Sequence, residues 1–186
     1  MEKTDRRVVK TLRLIDQTCY RLLITKTFER LSVAEICQEA QIGRSTFYQY
    51  YLDKFDWLEK QVMIYTTRFQ KIMTQRQDDF LEKQSLTTLV TALLPYKDEL
   101  QVLLRIHVST ADLTQSFQQI LRSSILGYLN QRTVTLPVPL AYLQEIYATS
   151  AMTYICYELE NGLDDQISFF MNESFNLLLT NEFNPK

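Results

Sequence analysis

The chain has 186 residues, of which 46% are hydrophobic and 23% charged, with three Gly, four Pro and a formal net charge of −2. That length and apolar share suffice for one or two small domains with a buried core, and they exclude a disordered polar chain. The opening MEKTDRRVVK is charged and no apolar run approaches the roughly 18 residues of a membrane span, so a cytoplasmic protein with no membrane partner is expected. Apolar residues recur at three- and four-residue spacing along most of the chain, which predicts an all-α fold of about nine helices.

The first helix is expected over about Asp5 to Thr25, on the stripe Val8, Leu12, Ile15, Cys19, Leu22 and Leu23, with Arg6, Arg7, Lys10 and Arg13 at its start. Residues 1 to 60 carry eleven Lys or Arg against nine Asp or Glu, so the front of the chain is positive within a slightly acidic whole. Leu31-Ser32-Val33-Ala34-Glu35-Ile36 has the form of a capping box, Ser32 at the N-cap and Glu35 three residues on. It opens a short second helix ending near Ala40, where Gly43 is expected to make the tight turn.

A short third helix follows over Arg44 to Tyr50. Phe47 and Tyr51, four apart, are expected to face the core, leaving Arg44, Ser45, Tyr48 and Gln49 toward solvent. Asp53 caps a long fourth helix on Phe55, Leu58, Val62, Tyr65, Phe69 and Ile72, which fades into a polar stretch from Thr74 to Ser85. Leu86–Leu94 and Lys97–Val108 predict two helices broken at Pro95, and Ala111–Gln131 a seventh. After a Pro-containing connection the eighth starts near Pro139 and ends at Asn161-Gly162, and Asp164 caps a ninth carrying Ile167, Phe170, Met171, Ser174, Leu177 and Leu178.

Two short helices joined by a tight turn behind a supporting helix are the frame of a helix-turn-helix DNA reader. Within it, Ile36 to Leu58, ICQEAQIGRSTFYQYYLDKFDWL, resembles the core signature of the TetR family of regulators. Ile36, Ala40, Thr46, Phe47, Tyr48, Tyr50, Lys54 and Leu58 fall on its characteristic positions, and the resemblance spans about residues 5 to 60. Gln41 stands where the family usually has Gly, Gly43 where a capping Ser or Thr is usual, and Tyr51 where Phe is frequent.

The resemblance implies a helix-turn-helix domain over residues 1–52 and a helical regulatory and dimerisation domain over 53–186. It places Arg44, Ser45 and Gln49 on base edges, and Ser32, Thr46, Tyr48, Tyr50 and Lys54 on the phosphate backbone of double-stranded DNA. Arg suits guanine and Gln adenine as bidentate partners.

It further implies a homodimer on a palindromic operator, acting as a repressor. The apolar faces of the last two helices, with Leu143, Ile146, Tyr147, Tyr154, Phe170, Leu177 and Leu178, are the expected interface. A small apolar or aromatic effector is expected among helices four to eight. Trp57, Tyr65, Met73, His107, Phe117, Tyr128, Met152 and Tyr157, all in that region, are its candidate lining.

Cys19, Cys37 and Cys156 form no CxxC pair and are expected to be small core residues, a thiol redox sensor being the alternative. One histidine and the lack of a metal-ligand cluster, Gly-rich phosphate loop or serine elbow make neither an enzyme nor a cofactor expected. The rival to a ligand-controlled repressor is the same fold acting as a co-regulator governed by a protein partner.

Overall fold

The computed structural model describes residues 6–75, 85–130, 136 and 138–179; of these, the side chains at 85, 127–130, 178 and 179 are left out. The described residues form nine α-helices: α1 (Arg6–Thr25), α2 (Val33–Glu39), α3 (Arg44–Tyr48), α4 (Lys54–Gln75), α5 (Ser85–Leu93), α6 (Lys97–Leu103), α7 (Leu113–Asn130), α8 (Leu140–Asn161) and α9 (Asp165–Leu179). Single turns of 3-10 helix cover Phe28–Arg30 and Leu94–Tyr96, the second holding Pro95. No helix among the described residues is long and apolar enough to cross a membrane.

Helix starts follow the polar residues that satisfy their free N–H groups. Ser32 Oγ accepts from Glu35 N at 3.2 Å. Asp53 Oδ1 accepts from Phe55 N and Asp56 N at 2.8 and 2.9 Å, and Asp164 Oδ1 from Gln166 N and Ile167 N at 2.8 and 3.1 Å. The capping box is only half closed: the Glu35 carboxylate pairs with the Lys26 ammonium instead of returning to the Ser32 amide.

The turn after α2 differs from expectation. Its left-handed residue is Gln41, φ 53°, and not Gly43, whose φ of −71° is ordinary. Gln41 N donates to Gln38 O at 3.2 Å and Ile42 N to Cys37 O at 3.0 Å, the two bonds of a Schellman ending. A residue with a Cβ therefore occupies a backbone conformation that glycine adopts without strain.

The helix expected to run to Val108 stops at Leu103. From there Ile106, Val108 and Thr110 favour extended backbone, and His107–Val108 pairs antiparallel with Ala111–Asp112 in a two-residue-turn hairpin (β1, β2).

Two compact units divide the chain, Met1–Ile64 with Asp98–Asp112, and Tyr65–Lys97 with Leu113–Lys186. The division thus falls inside α4 and not at the expected 52/53 junction. Ile15, Cys19, Leu31, Ile36, Phe47, Trp57 and Leu58 are core residues of the first unit; Phe69, Leu89, Leu93, Phe117, Ile125, Leu143 and Ile155 are core residues of the second.

On α9 the expected stripe is only partly covered: Ile167, Met171 and Ser174 are half-buried, and Phe170 and Leu177, expected on a dimer face, are exposed. The helix buries Ser168, Asn172 and Phe175 and leaves Phe169 exposed as well. The buried polar groups are satisfied: Ser168 Oγ lies 2.6 Å from the Tyr154 hydroxyl, and Asn172 Oδ1 accepts from Leu86 N at 3.3 Å.

Relief of the Gln41 backbone is the direct test of the turn. Gln41→Gly is expected to raise the unfolding free energy by about 0.5 to 1 kcal/mol, the left-handed penalty less the entropy cost of glycine, read as a higher denaturant midpoint at unchanged slope. An unchanged or lower midpoint would contradict it.

Candidate nucleic-acid interface

α3 is five residues long, too short to hold itself, and is fixed by what lies behind it. Phe47 and Tyr51 are buried, with ring centroids 5.6 Å apart, whereas Arg44, Ser45, Tyr48 and Gln49 are exposed, Tyr48 by 54%. Thr46 and Tyr50 are half-buried at the flanks. The side chains of Arg44 and Gln49 bond to no other described residue, so their donors point to water. This division between core and solvent is the one expected from the sequence.

Behind α3, one carboxylate oxygen gathers three elements. Asp16 Oδ1, on α1, accepts from the Tyr51 hydroxyl at 2.7 Å, from Trp57 Nε1 at 3.0 Å and from Gln61 Nε2 at 3.3 Å. Gln61 Oε1 in turn accepts from the Tyr20 hydroxyl at 2.9 Å, and the Tyr20 ring meets Trp57 edge-on at 5.4 Å. Burial pushes the Asp16 carboxyl above its ordinary range, against the opposing pull of the bonds from Tyr51 and Trp57. Burial also pushes the Tyr51 hydroxyl up, as does the negative Asp16 beside it.

Two lysines hold backbone. Lys54 Nζ donates to the carbonyls of Phe28, Glu29 and Leu31, each at 2.9 Å, and stands 4.9 Å from the Phe28 ring centre. An ammonium has three N–H donors, and all three are used. The phosphate contact expected of Lys54 therefore gives way to closure of the Phe28–Arg30 turn.

Lys60 Nζ donates to Tyr50 O just beyond the C-terminal end of α3 and to Asp56 Oδ2, both at 2.9 Å. Asp56 Oδ2 also accepts from Leu52 N at 2.8 Å. The Lys60 bond, aided by that amide, holds the Asp56 carboxyl below its usual range. Sequence reasoning singled out none of Asp16, Gln61, Asp56 or Lys60. An acid set among the apolar positions of α1 and an Asp-to-Lys spacing of four on α4 were the available signals.

Ser32 is exposed and its oxygen caps α2, which leaves the hydroxyl proton free to donate outward. Cys19 and Cys37 are buried, and burial pushes both thiols up, away from the thiolate that reacts; Cys156 is exposed.

The residues expected around an effector are divided between the two units. Trp57 is buried and spent on Asp16, while His107 is exposed and pairs with Asp112 at 2.9 Å within the first unit. In the second unit Phe117 stacks face to face on Phe69, centroids 3.9 Å apart and planes 10° from parallel. Met73 and Met152 are buried there, Tyr65 meets Tyr96 edge-on at 5.9 Å, and Tyr157 is exposed. The side chain of Tyr128 lies outside the described residues.

Of the expected dimer face, Leu143, Tyr147 and Tyr154 are buried within the chain, Tyr147 against Phe175 at 4.9 Å. These three are core, for burial within one subunit leaves nothing for a second to cover. Ile146 is half-buried, Phe170 and Leu177 are exposed, and the side chain of Leu178 lies outside the described residues.

No family model matches the sequence, and no curated protein matches it significantly. Among solved structures, the dihydroxyacetone kinase operon activator DhaS is similar at a TM-score of 0.54 and 16% identity, over 91% of this chain and 95% of that one. The likeness is one of fold: an all-α architecture laid out along nearly the whole of both chains.

Two changes probe the scaffold. Lys54→Ala is expected to cost about 1 to 3 kcal/mol of unfolding free energy, because three carbonyls lose a charged donor. An unchanged denaturant midpoint would show the turn to be independent of it. The raised Asp16 carboxyl sets a pH dependence. The folded state keeps this proton where the unfolded chain has lost it, so stability falls as pH rises from the ordinary carboxyl range through the folded value. Relative to Asp16→Asn, which does not titrate, the natural chain is expected to lose stability across that window in denaturation series at several pH values. A relative gain would reverse the assigned sign.

Proposed function

We propose that this chain is a DNA-binding transcription regulator that grips a two-fold symmetric operator as a homodimer. The observation that carries the reading is α3 with the residues that follow it: Phe47 and, just past the helix, Tyr51 are locked by the core and Asp16, while Arg44, Ser45 and the C-cap Gln49 face solvent with unused donors. A helix of that form enters the major groove, where Arg takes guanine O6 and N7, Gln takes adenine N6 and N7, and Ser either base. In this reading Ser32, Thr46, Tyr48 and Tyr50 are the residues that contact the phosphate backbone. Lys54 acts indirectly, by holding the turn before α2.

The face of α9 supports the dimer. Phe169, Phe170 and Leu177 are exposed by 61%, 66% and 50% on a helix that buries Ser168 and Asn172 instead. An isolated chain gains nothing from placing aromatic rings outward and polar groups inward, whereas a second copy covers them and aligns two α3 helices on half-sites about 34 to 36 Å apart or a multiple of it.

The same reading head serves repression or activation, because the sign depends on where the operator lies relative to the promoter. DhaS is by name an operon activator. The finer reading is repression relieved by a small apolar or aromatic ligand, the alternative being the same fold governed by a protein partner.

Selection of genomic fragments at stated salt tests the proposal. A palindromic motif is expected. Gln49→Ala is expected to cost roughly 1 to 3 kcal/mol at one base position of each half-site while leaving the others unchanged. Phe170→Lys is expected to sediment as a monomer with native helicity and weakened operator binding. Losses equal on every sequence, or a natural chain that is monomeric at micromolar concentration, would refute it.

A further inference from the structure

The first unit holds a cleft of about 550 Å³ between the end of α1 with its following turn and the outer face of α6. Its lining includes no residue of α3, so it lies apart from the proposed reading face. The volume is within the range of small-molecule sites. Phe28, Val102 and Ile106, all buried, supply apolar lining, and Ile24 at its margin is 71% exposed, an aliphatic side chain standing in water.

The charges around it are unequal in availability. Lys26 is committed to Glu35, and Arg105 is engaged in an interaction of its own. Asp98, in the first turn of α6, bonds to no other described residue and is exposed, whereas the Glu29 carboxylate is already hydrogen-bonded to Thr27. The last turn of α1, Leu23 to Thr25, also lines the cleft, contains no basic residue and presents the negative end of the helix. Of the four charged residues of the lining, Asp98 alone bonds to no other described residue, and it is negative, beside an apolar surface.

We propose that this cleft binds a small organic cation with an apolar body, of the alkyl or arylalkyl amine class, its ammonium between Asp98 and the end of α1 and its body over Val102 and Ile106. The site is separate from DNA reading, and binding to it stands or falls without the operator.

Titration calorimetry on the full chain with three probes of one shape tests it: 4-phenylbutylamine, 4-phenylbutanol and 4-phenylbutyrate. The amine is expected to bind saturably and tightest, the acid weakest. Asp98→Asn is expected to weaken the amine about five-fold, the worth of an exposed ion pair, and to leave the alcohol within about two-fold. Ile24→Lys, at an exposed position that the fold tolerates, is expected to weaken the amine further and favour the acid. Absence of saturable amine binding, an acid that binds as tightly as the amine, or an amine affinity indifferent to Asp98→Asn would each overturn the proposal.

Discussion

One oxygen atom of Asp16 governs the seating of α3. It sits on α1, yet it receives hydrogen bonds from the residue that follows α3 and from two turns of α4. Burying a carboxylate is costly, and three donors at hydrogen-bond distance offset that cost only where all three are in place. The arrangement is therefore all-or-none. A five-residue helix with little stability of its own acquires a single orientation, because Tyr51 has only one place to put its hydroxyl.

Two further cations act on the same scaffold through backbone carbonyls. Lys54 closes the turn before α2, and Lys60 takes Tyr50 O, just past the end of α3, where a positive charge is favoured by the helix dipole. Their charge still adds to the field outside the protein, but the N–H donors spent on carbonyls are unavailable to another acceptor. The positive excess of the first sixty residues is modest, so a nucleic-acid partner of the proposed kind would depend on placed donors such as Arg44 and Gln49 more than on bulk attraction.

The second unit carries a different asymmetry. α8 buries residues on more than one face, including the carboxylate of Glu158, whose Oε2 accepts from Asp164 N at 2.8 Å, while α9 gives its polar side to that core and its aromatic side to solvent. The Tyr154–Ser168 contact and the Glu158–Asp164 bond join the two helices one turn apart and set the rotation of α9. That rotation decides which residues remain outside. It moves the apolar surface from Leu143, Tyr147 and Tyr154 to Phe169, Phe170 and Leu177.

Features that depend on neighbours in the chain were legible from the sequence alone. The caps at Ser32, Asp53 and Asp164, the stop at Gly162 and the division of α3 into a buried and an exposed side all follow from local backbone demand and helical period. What the tertiary structure alone decided is which partner each side chain meets. A stripe shows how much surface must be hidden and not against what, so Trp57 became a donor to Asp16 instead of a wall for a ligand, and Lys54 a clasp on three carbonyls instead of a phosphate contact. The left-handed Gln41 and the rotation of α9 have the same origin: packing outweighed local preferences worth about 1 kcal/mol each.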